Sequence, residues 1–244
     1  MNKKLIVLIQ GELIRLHKYN LTTISVVVAL MWGGMLYFVG DELLASLLPM
    51  VILMDATMMA LMYVGAIMYF EKSESTISTL LVTPVSNQEL LLSKVIANTL
   101  HNIFSSALII TVFAIISEIT INYFLITIAI IISTAVHTII GICLSYTTKD
   151  FTRLLMRVIS FAFLLMVPSL LLYFDVIEGI FFEVINLFNP INAALELIVG
   201  SFNDATLGWE FFVSLAYLLI GAPILYYFYA LPKFQEYAVR QSGV

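Results

Sequence analysis

Long apolar runs separated by short polar stretches set the pattern of this chain. Residues 19–40, 95–117, 119–148, 158–174 and 211–232 contain no Asp, Glu, Lys or Arg, and a further run, 43–70, is broken only by Asp55. Each is near or above the roughly 17–25 residues that a spanning helix needs. Lipid offers the backbone no hydrogen-bond partner, and the runs lack the apolar/polar alternation of barrel strands, so they predict helices. The expected fold is an all-α membrane protein with six transmembrane helices in a single domain, residues 1–244.

Three stretches depart from this pattern. Residues 1–18 mix Lys3, Lys4, Glu12, Arg15 and Lys18 with Leu5, Leu8, Ile9, Leu13 and Leu16, which fall on one helical face. That predicts an interfacial amphipathic helix rather than a cleavable signal peptide. Residues 71–94 are dense in charged and hydroxyl side chains. Within them Ile77, Leu80 and Leu81 share a face, Pro84 ends helix at Thr83, and Ser86 with Glu89 has the spacing of a capping box. A short amphipathic helix, a turn and a newly capped helix are expected there. Residues 175–210 hold two apolar pieces, 180–188 and 191–199, too short to cross. Asn189 and Pro190 part them with a turn signal, so two short re-entrant helices are expected before the last span.

Composition agrees with the pattern: 61% of residues are hydrophobic, 11% are charged, and the mean hydropathy is +1.05, far from a soluble domain. Charge adds an orientation. With the N-terminus inside, Lys3, Lys4, Arg15, Lys18, Lys72, Lys94, Lys149, Arg153, Arg157, Lys233 and Arg240 all fall on the cytoplasmic side. The other side carries Asp41, Glu42, Glu118, Asp175, Glu178, Glu183, Glu196, Asp204 and Glu210. The net charge of −5 is thus a property of the outer face, and nucleic acid is not an expected partner.

Enzyme chemistry finds little support. The only cysteine is Cys143, the three histidines His17, His101 and His137 are scattered, and neither H-E-x-x-H nor G-x-S-x-G occurs. No catalytic and no metal site is expected. A G-x-x-x-x-G-K-[ST] loop is also lacking, so the chain has no phosphate cradle of that kind. A secondary transporter or channel, the alternative class, would show an inverted repeat, and none is evident.

Asp55 lies well inside the second run, where a carboxylate is costly. Two readings stand side by side: a pathway residue that meets a cationic cargo, or a hydrogen-bonded acid that holds helices together. Met58, Met59 and Met62, with Met54, surround it in sequence with flexible, polarizable surface.

The pattern Glu71, Thr76, Leu80-Leu81, Thr83-Pro84-Val85-Ser86, Glu89 and Lys94 resembles the segment between the second and third spans of type-2 ATP-binding-cassette exporter permeases. "FNPINAALELIVG", residues 188–200, is similar to that family's Asn-Pro segment before the last span, and "GICLSYTTKDFTR", residues 141–153, adds a third likeness. Two departures stand out. Glu74 and Ser75 occupy positions where the family often has a basic residue and a glycine, and "VPSLLLYF" lacks the family's usual glycine near the end of the fifth span.

The resemblance implies a transport subunit that binds no cofactor itself and works with an ABC ATPase subunit holding ATP and Mg. It also implies a second permease, either another copy or a homologous chain. Glu71, Thr76, Ile77, Leu80, Leu81, Thr83 and Pro84 are the residues it assigns to ATPase coupling, with Asn189 and Pro190 at the outer turn. The expected location is a bacterial plasma membrane with both termini cytoplasmic. Drugs, antimicrobial peptides, lipids and glycans are all open as cargo.

Overall fold

The computed structural model describes residues 3–38, 41–81, 83–116, 120–148, 150–202 and 205–241. Glu118, Lys149 and Asp204 lie outside them, as do the side chains of Asp41, Glu42, Ile77, Leu81 and Arg240. Among the described residues the chain is almost wholly helical, and the extended pairing is one antiparallel bridge between Ile121 and Phe202.

The helices in order are α1 (Lys3–Lys18), α2 (Leu21–Leu36), α3 (Asp41–Met54), α4 (Ala60–Ser73), α5 (Thr76–Leu81), α6 (Asn87–Ile116) and α7 (Tyr123–Ser145). They continue with α8 (Phe151–Tyr173), α9 (Ile180–Leu187), α10 (Pro190–Val199), α11 (Trp209–Leu225) and α12 (Leu231–Gln241). A π-helical turn, Asp55–Met59, joins α3 to α4, and a second, Tyr226–Ala230, joins α11 to α12.

Among the described residues five helical stretches are long and apolar enough to cross a bilayer, Ser46–Ser73, Asn87–Ile115, Tyr123–Ser145, Phe151–Tyr173 and Trp209–Ala238, or six if the bent pair α9–α10 counts as one span. The chain is a multi-pass membrane protein. The expectation of six spans is met only in part. Where the first is predicted stands α2, whose 16 residues rise about 24 Å against a hydrocarbon core of about 30 Å.

Local signals in the sequence account for most helix ends. Asn122 accepts from the Leu125 amide at 3.1 Å and so caps α7, and Asp150 accepts from the Arg153 amide at 2.8 Å to cap α8. Ser86 and Glu89 form the reciprocal box: the Ser86 amide donates to Glu89 Oε2 at 2.9 Å and the Glu89 amide to Ser86 Oγ at 3.2 Å. Asn189 Oδ1 accepts from the Ile191 amide at 3.0 Å, and Pro190 opens α10.

Packing sorts the helices by depth. The main core gathers Leu48, Ile52 and Leu53 of α3, Phe113 of α6 and Ile130 of α7 around Ile191, Ala194 and Ile198 of α10. The α9–α10 pair, bent by 96°, is thus unequal: α10 is central, whereas α9 exposes Ile180, Phe181 and Ile185. The lysine-bearing helix ends collect at one end of the bundle. There Lys72 Nζ donates to the Thr148 carbonyl at 3.1 Å, Tyr146 to the Ala230 carbonyl at 2.7 Å and Tyr226 to the Gln88 carbonyl at 3.1 Å. The acidic segments meet at the other end, where Tyr217 donates to the Phe188 carbonyl at 2.8 Å.

Candidate functional site

The polar stretch between the second and third predicted spans forms a helical hairpin at the basic end. After Ser73 the Glu74 amide still donates to the Phe70 carbonyl at 2.9 Å. Ser75 then takes a left-handed conformation, φ 54°, which turns the chain into α5. Thr83 closes α5 by donating its hydroxyl to the Leu80 carbonyl at 2.6 Å, and Pro84 prevents the helix from continuing. Ser73, Glu74, Ser75, Thr79, Thr83 and Pro84 are exposed, and Thr76 is half-buried.

Of the predicted leucine face, Leu80 is the member whose side chain is described, and it is partly buried. Leu80 packs inward on a cluster that includes Met68 of α4, Leu91 of α6, and Phe234 and Tyr237 of α12. The physical reason is that α12 lies against α5 and supplies an apolar wall that a local reading of residues 71–94 does not contain. The side chains of Ile77 and Leu81 fall outside the described residues. Among the described residues of this segment the exposed ones include Thr79, Thr83 and Pro84, two of which carry hydroxyls.

Glu71 is also moved. The resemblance assigns it to the coupling surface, but its side chain is 0% exposed and lies beneath the hairpin in a four-charge cluster. Lys94 Nζ sits 2.5 Å from Glu71 Oε1 and 2.8 Å from Glu12 Oε1. Arg15 Nη1 sits 2.8 Å from Glu71 Oε1 and 2.7 Å from Glu12 Oε1. Two acids and two bases balance, so three helices are joined without a net buried charge: α1 through Glu12 and Arg15, α4 through Glu71, and α6 through Lys94. Such an arrangement holds only if every member is present, because desolvation is offset by the mutual attraction.

Two exposed links continue the cluster outward. Lys18 of α1 pairs with Glu74 at 3.3 Å, and Lys4 donates to the Pro84 carbonyl at 2.9 Å. The Tyr19 hydroxyl, followed by the Lys18 ammonium, holds the Glu74 carboxyl below its ordinary range. Helix α1 is therefore strapped to both arms of the hairpin. Its predicted apolar face does turn inward, with Ile9 and Leu16 buried, while Val7 and Ile14 form a second, exposed apolar strip.

Asp55 opens the first π-turn and is 3% exposed. Its Oδ1 accepts from Ser105 at 2.7 Å and its Oδ2 from Ser106 at 2.6 Å. A π-turn shifts the i→i−4 ladder, and α6 reaches both ends of it. Asn102 Nδ2 donates to the Asp55 carbonyl at 2.9 Å, and Asn98 Nδ2 donates to the Ala60 carbonyl at 3.0 Å and to Thr138 Oγ1 at 2.7 Å. The methionines lie elsewhere: Met58 and Met62 pack beside Leu154 and Val158 of α8, and Met59 beside Leu16 and Leu21. The structure brings Asp55 to α6, and Met58 packs against the main core as well. Sequence reasoning missed Asn98, Asn102, Ser105 and Ser106, although their signal was present. Polar residues at i, i+4, i+7 and i+8 mark one face of an otherwise apolar helix.

Residues 4–203 match the family model described as ABC-2 type transporter. The chain belongs to the ABC-2 type transporter family. It is an ABC permease component, and permeases of this family normally work with an ABC ATPase subunit. A comparison with curated proteins gave no match.

In this permease the match runs from α1 past the bridge at Phe202, so it includes the hairpin, the ion cluster, Asp55 and the Asn189-Pro190 turn. At that turn Asn189 Nδ2 lies 2.6 Å from the Leu165 carbonyl and 2.8 Å from Ser169 Oγ, which ties the α9–α10 corner to α8. A cavity of about 420 Å³ opens beside it, with Asp175, Glu178, Glu183, Glu196 and Glu210 in its wall next to Trp209.

The sealed carboxylate of Asp55 leads to a specific expectation for the permease. Asp55→Asn should leave the unfolding midpoint in detergent nearly unchanged, because both serine hydroxyls can rotate to suit an amide. Asp55→Leu should cost on the order of 1 kcal/mol, as other interhelical hydrogen bonds in membranes do. Transport of matched cationic and neutral compounds should respond equally to the Asn change. A selective loss of cation transport in a fully folded Asn variant would restore the pathway reading.

Proposed function

We propose that this chain is the permease subunit of an ABC exporter, moving its substrate outward with ATP hydrolysed on a separate nucleotide-binding subunit. In this reading two permeases and two ATPases assemble, ATP and Mg are held by the ATPases, and both termini face the cytoplasm with them. The observation that carries it is the α4–α5–α6 hairpin. Its tip presents Thr79, Thr83 and Pro84, while its base is joined through Glu71 and Lys94 to α1, α4 and α6. A push on the tip would be delivered to two long helices and the interfacial helix at once. Glu71 transmits through the cluster, and the exposed threonines make the contact. Asp55 and the methionines keep helices together along the route, and Asn189 and Pro190 hold the outer corner.

Thr79→Asp tests the assignment, because it places a charge on the exposed face while leaving Leu80 in its pocket. Association with the ATPase that copurifies with the wild-type permease should weaken about tenfold or more, the loss usual for a central contact residue. Substrate-stimulated ATP hydrolysis should fall with it, and the permease should keep its wild-type unfolding midpoint. Unchanged association and hydrolysis would remove the hairpin tip from the interface.

A further inference from the structure

At the basic end a second cavity, about 330 Å³, opens between α7, α8 and the junction of α11 with α12. Tyr146, Arg157, Tyr229, Lys233, Glu236 and Tyr237 are in its wall. Arg157 Nη1 donates to the Leu144 carbonyl at 3.0 Å and to Thr147 Oγ1 at 2.5 Å. These bonds hold the guanidinium plane at the wall, while Nε and Nη2 have no protein acceptor among the described residues. A guanidinium held in this way can offer two parallel donors to a phosphate. Lys233 supplies a second cation. Its Nζ lies 3.2 Å from Glu236 Oε2 in an exposed pair three residues apart, an interaction weak enough to give way to a better anion.

The surroundings of the cavity point to a lipid as the source of that phosphate. Leu164 lies two turns from Arg157 on the same side of α8 and is strongly exposed, and Tyr229, one turn from Lys233, is exposed as well. Beyond Tyr229, Ile224 and Phe228 also face outward. A headgroup seated between Arg157 and Lys233 would therefore have bilayer-facing apolar surface next to it for its acyl chains. We propose that this cavity binds the phosphate headgroup of an anionic phospholipid of the leaflet at the basic end, held by Arg157 and Lys233. Basic clefts between spans at the membrane boundary have the chemistry for this. The bound lipid would bridge the α7–α8 corner to α12, which packs against the coupling helix α5.

The test uses the full purified chain in detergent, with phosphatidylglycerol, phosphatidylcholine and inorganic phosphate as probes. Retained lipid is counted by native mass spectrometry, and stabilisation is read from the unfolding midpoint. Phosphatidylglycerol should be retained and raise the midpoint, whereas phosphatidylcholine and inorganic phosphate should do neither. Arg157→Gln and Lys233→Gln should each lower phosphatidylglycerol affinity about fivefold, the share of one near-surface cation. Glu236→Gln, which frees Lys233, should raise it. Lys233 and Glu236 are exposed and pair only with each other among the described residues, so these two variants keep the test valid even if Arg157→Gln fails to fold. Equal retention of phosphatidylcholine overturns the headgroup assignment. Equal stabilisation by inorganic phosphate overturns the lipid assignment, and unchanged retention in the Lys233 and Glu236 variants overturns the site.

Discussion

Lys94→Met should destabilise the permease by about 3–5 kcal/mol, the cost of leaving a buried charge without its partner. Lys94 is the ammonium shared by Glu12 and Glu71 at the base of the hairpin. With it gone, two buried carboxylates face the single guanidinium of Arg15. The loss should be visible as a large drop in the unfolding midpoint and as early exposure of α1 to protease. The companion variant separates charge imbalance from lost packing. Glu71→Gln added to Lys94→Met leaves Glu12 opposite Arg15, one acid to one base, so the double variant should be more stable than Lys94→Met alone. Residues of one network couple in this non-additive way. If the two changes simply added, the four groups would not be acting as one cluster, and the mechanical role given to the hairpin base would lose its support.

Gly141→Leu should destabilise the permease strongly through overpacking. A Cβ at Gly141 would stand 2.6 Å from Val64 Cγ1, 3.0 Å from the Leu61 carbonyl oxygen and 3.1 Å from Leu61 Cα. The last two are backbone atoms of α4 and cannot rotate away. A glycine here lets α4 and α7 approach backbone to backbone, the usual device where helices pack in lipid. Even Gly141→Ala should cost about 1–3 kcal/mol, the range for overpacked cores. Val64→Ala should recover only part of this, since the Leu61 backbone contact remains. Gly34 and Gly221 have nothing within 4 Å of the same added atom, so Gly34→Ala and Gly221→Ala should leave stability within about 0.5 kcal/mol. A Gly141→Ala midpoint equal to those controls would show that α4 and α7 are not in close contact.

Much of the architecture follows from the chain alone, because the signals involved are local. Apolar runs of spanning length specify helices, since lipid leaves the backbone no other partner. Ser86 with Glu89, and Asn189 with Pro190, specify helix starts because the atoms that bond are within three residues of each other. The inward face of α1 was legible in its three- and four-residue spacing, and the likeness to the permease family was legible in residues 71–94 and 188–200.

What the tertiary structure decided are the partners that come from distant parts of the chain. Glu71 reads as a surface acid until α1 and α6 bring Arg15 and Lys94 to it. Leu80 reads as part of a docking face until α12 covers it. Asp55 reads ambiguously in any single-helix view, and only the tertiary structure brings Ser105 and Ser106 onto its two oxygens. The last span shows the same limit from the other direction. The uncharged run closes at Pro232, before Lys233, and proline cannot donate to the preceding turn, yet the helix continues to Gln241. A π-turn, Tyr226–Ala230, lies just before that proline and can absorb the missing bond, and packing of Phe234 and Tyr237 against α4, α6 and α7 rewards the continuation. Local bonding rules set where a helix can begin or end; the burial of a face against another helix decides whether it does, because that free energy belongs to both surfaces and is written in neither alone.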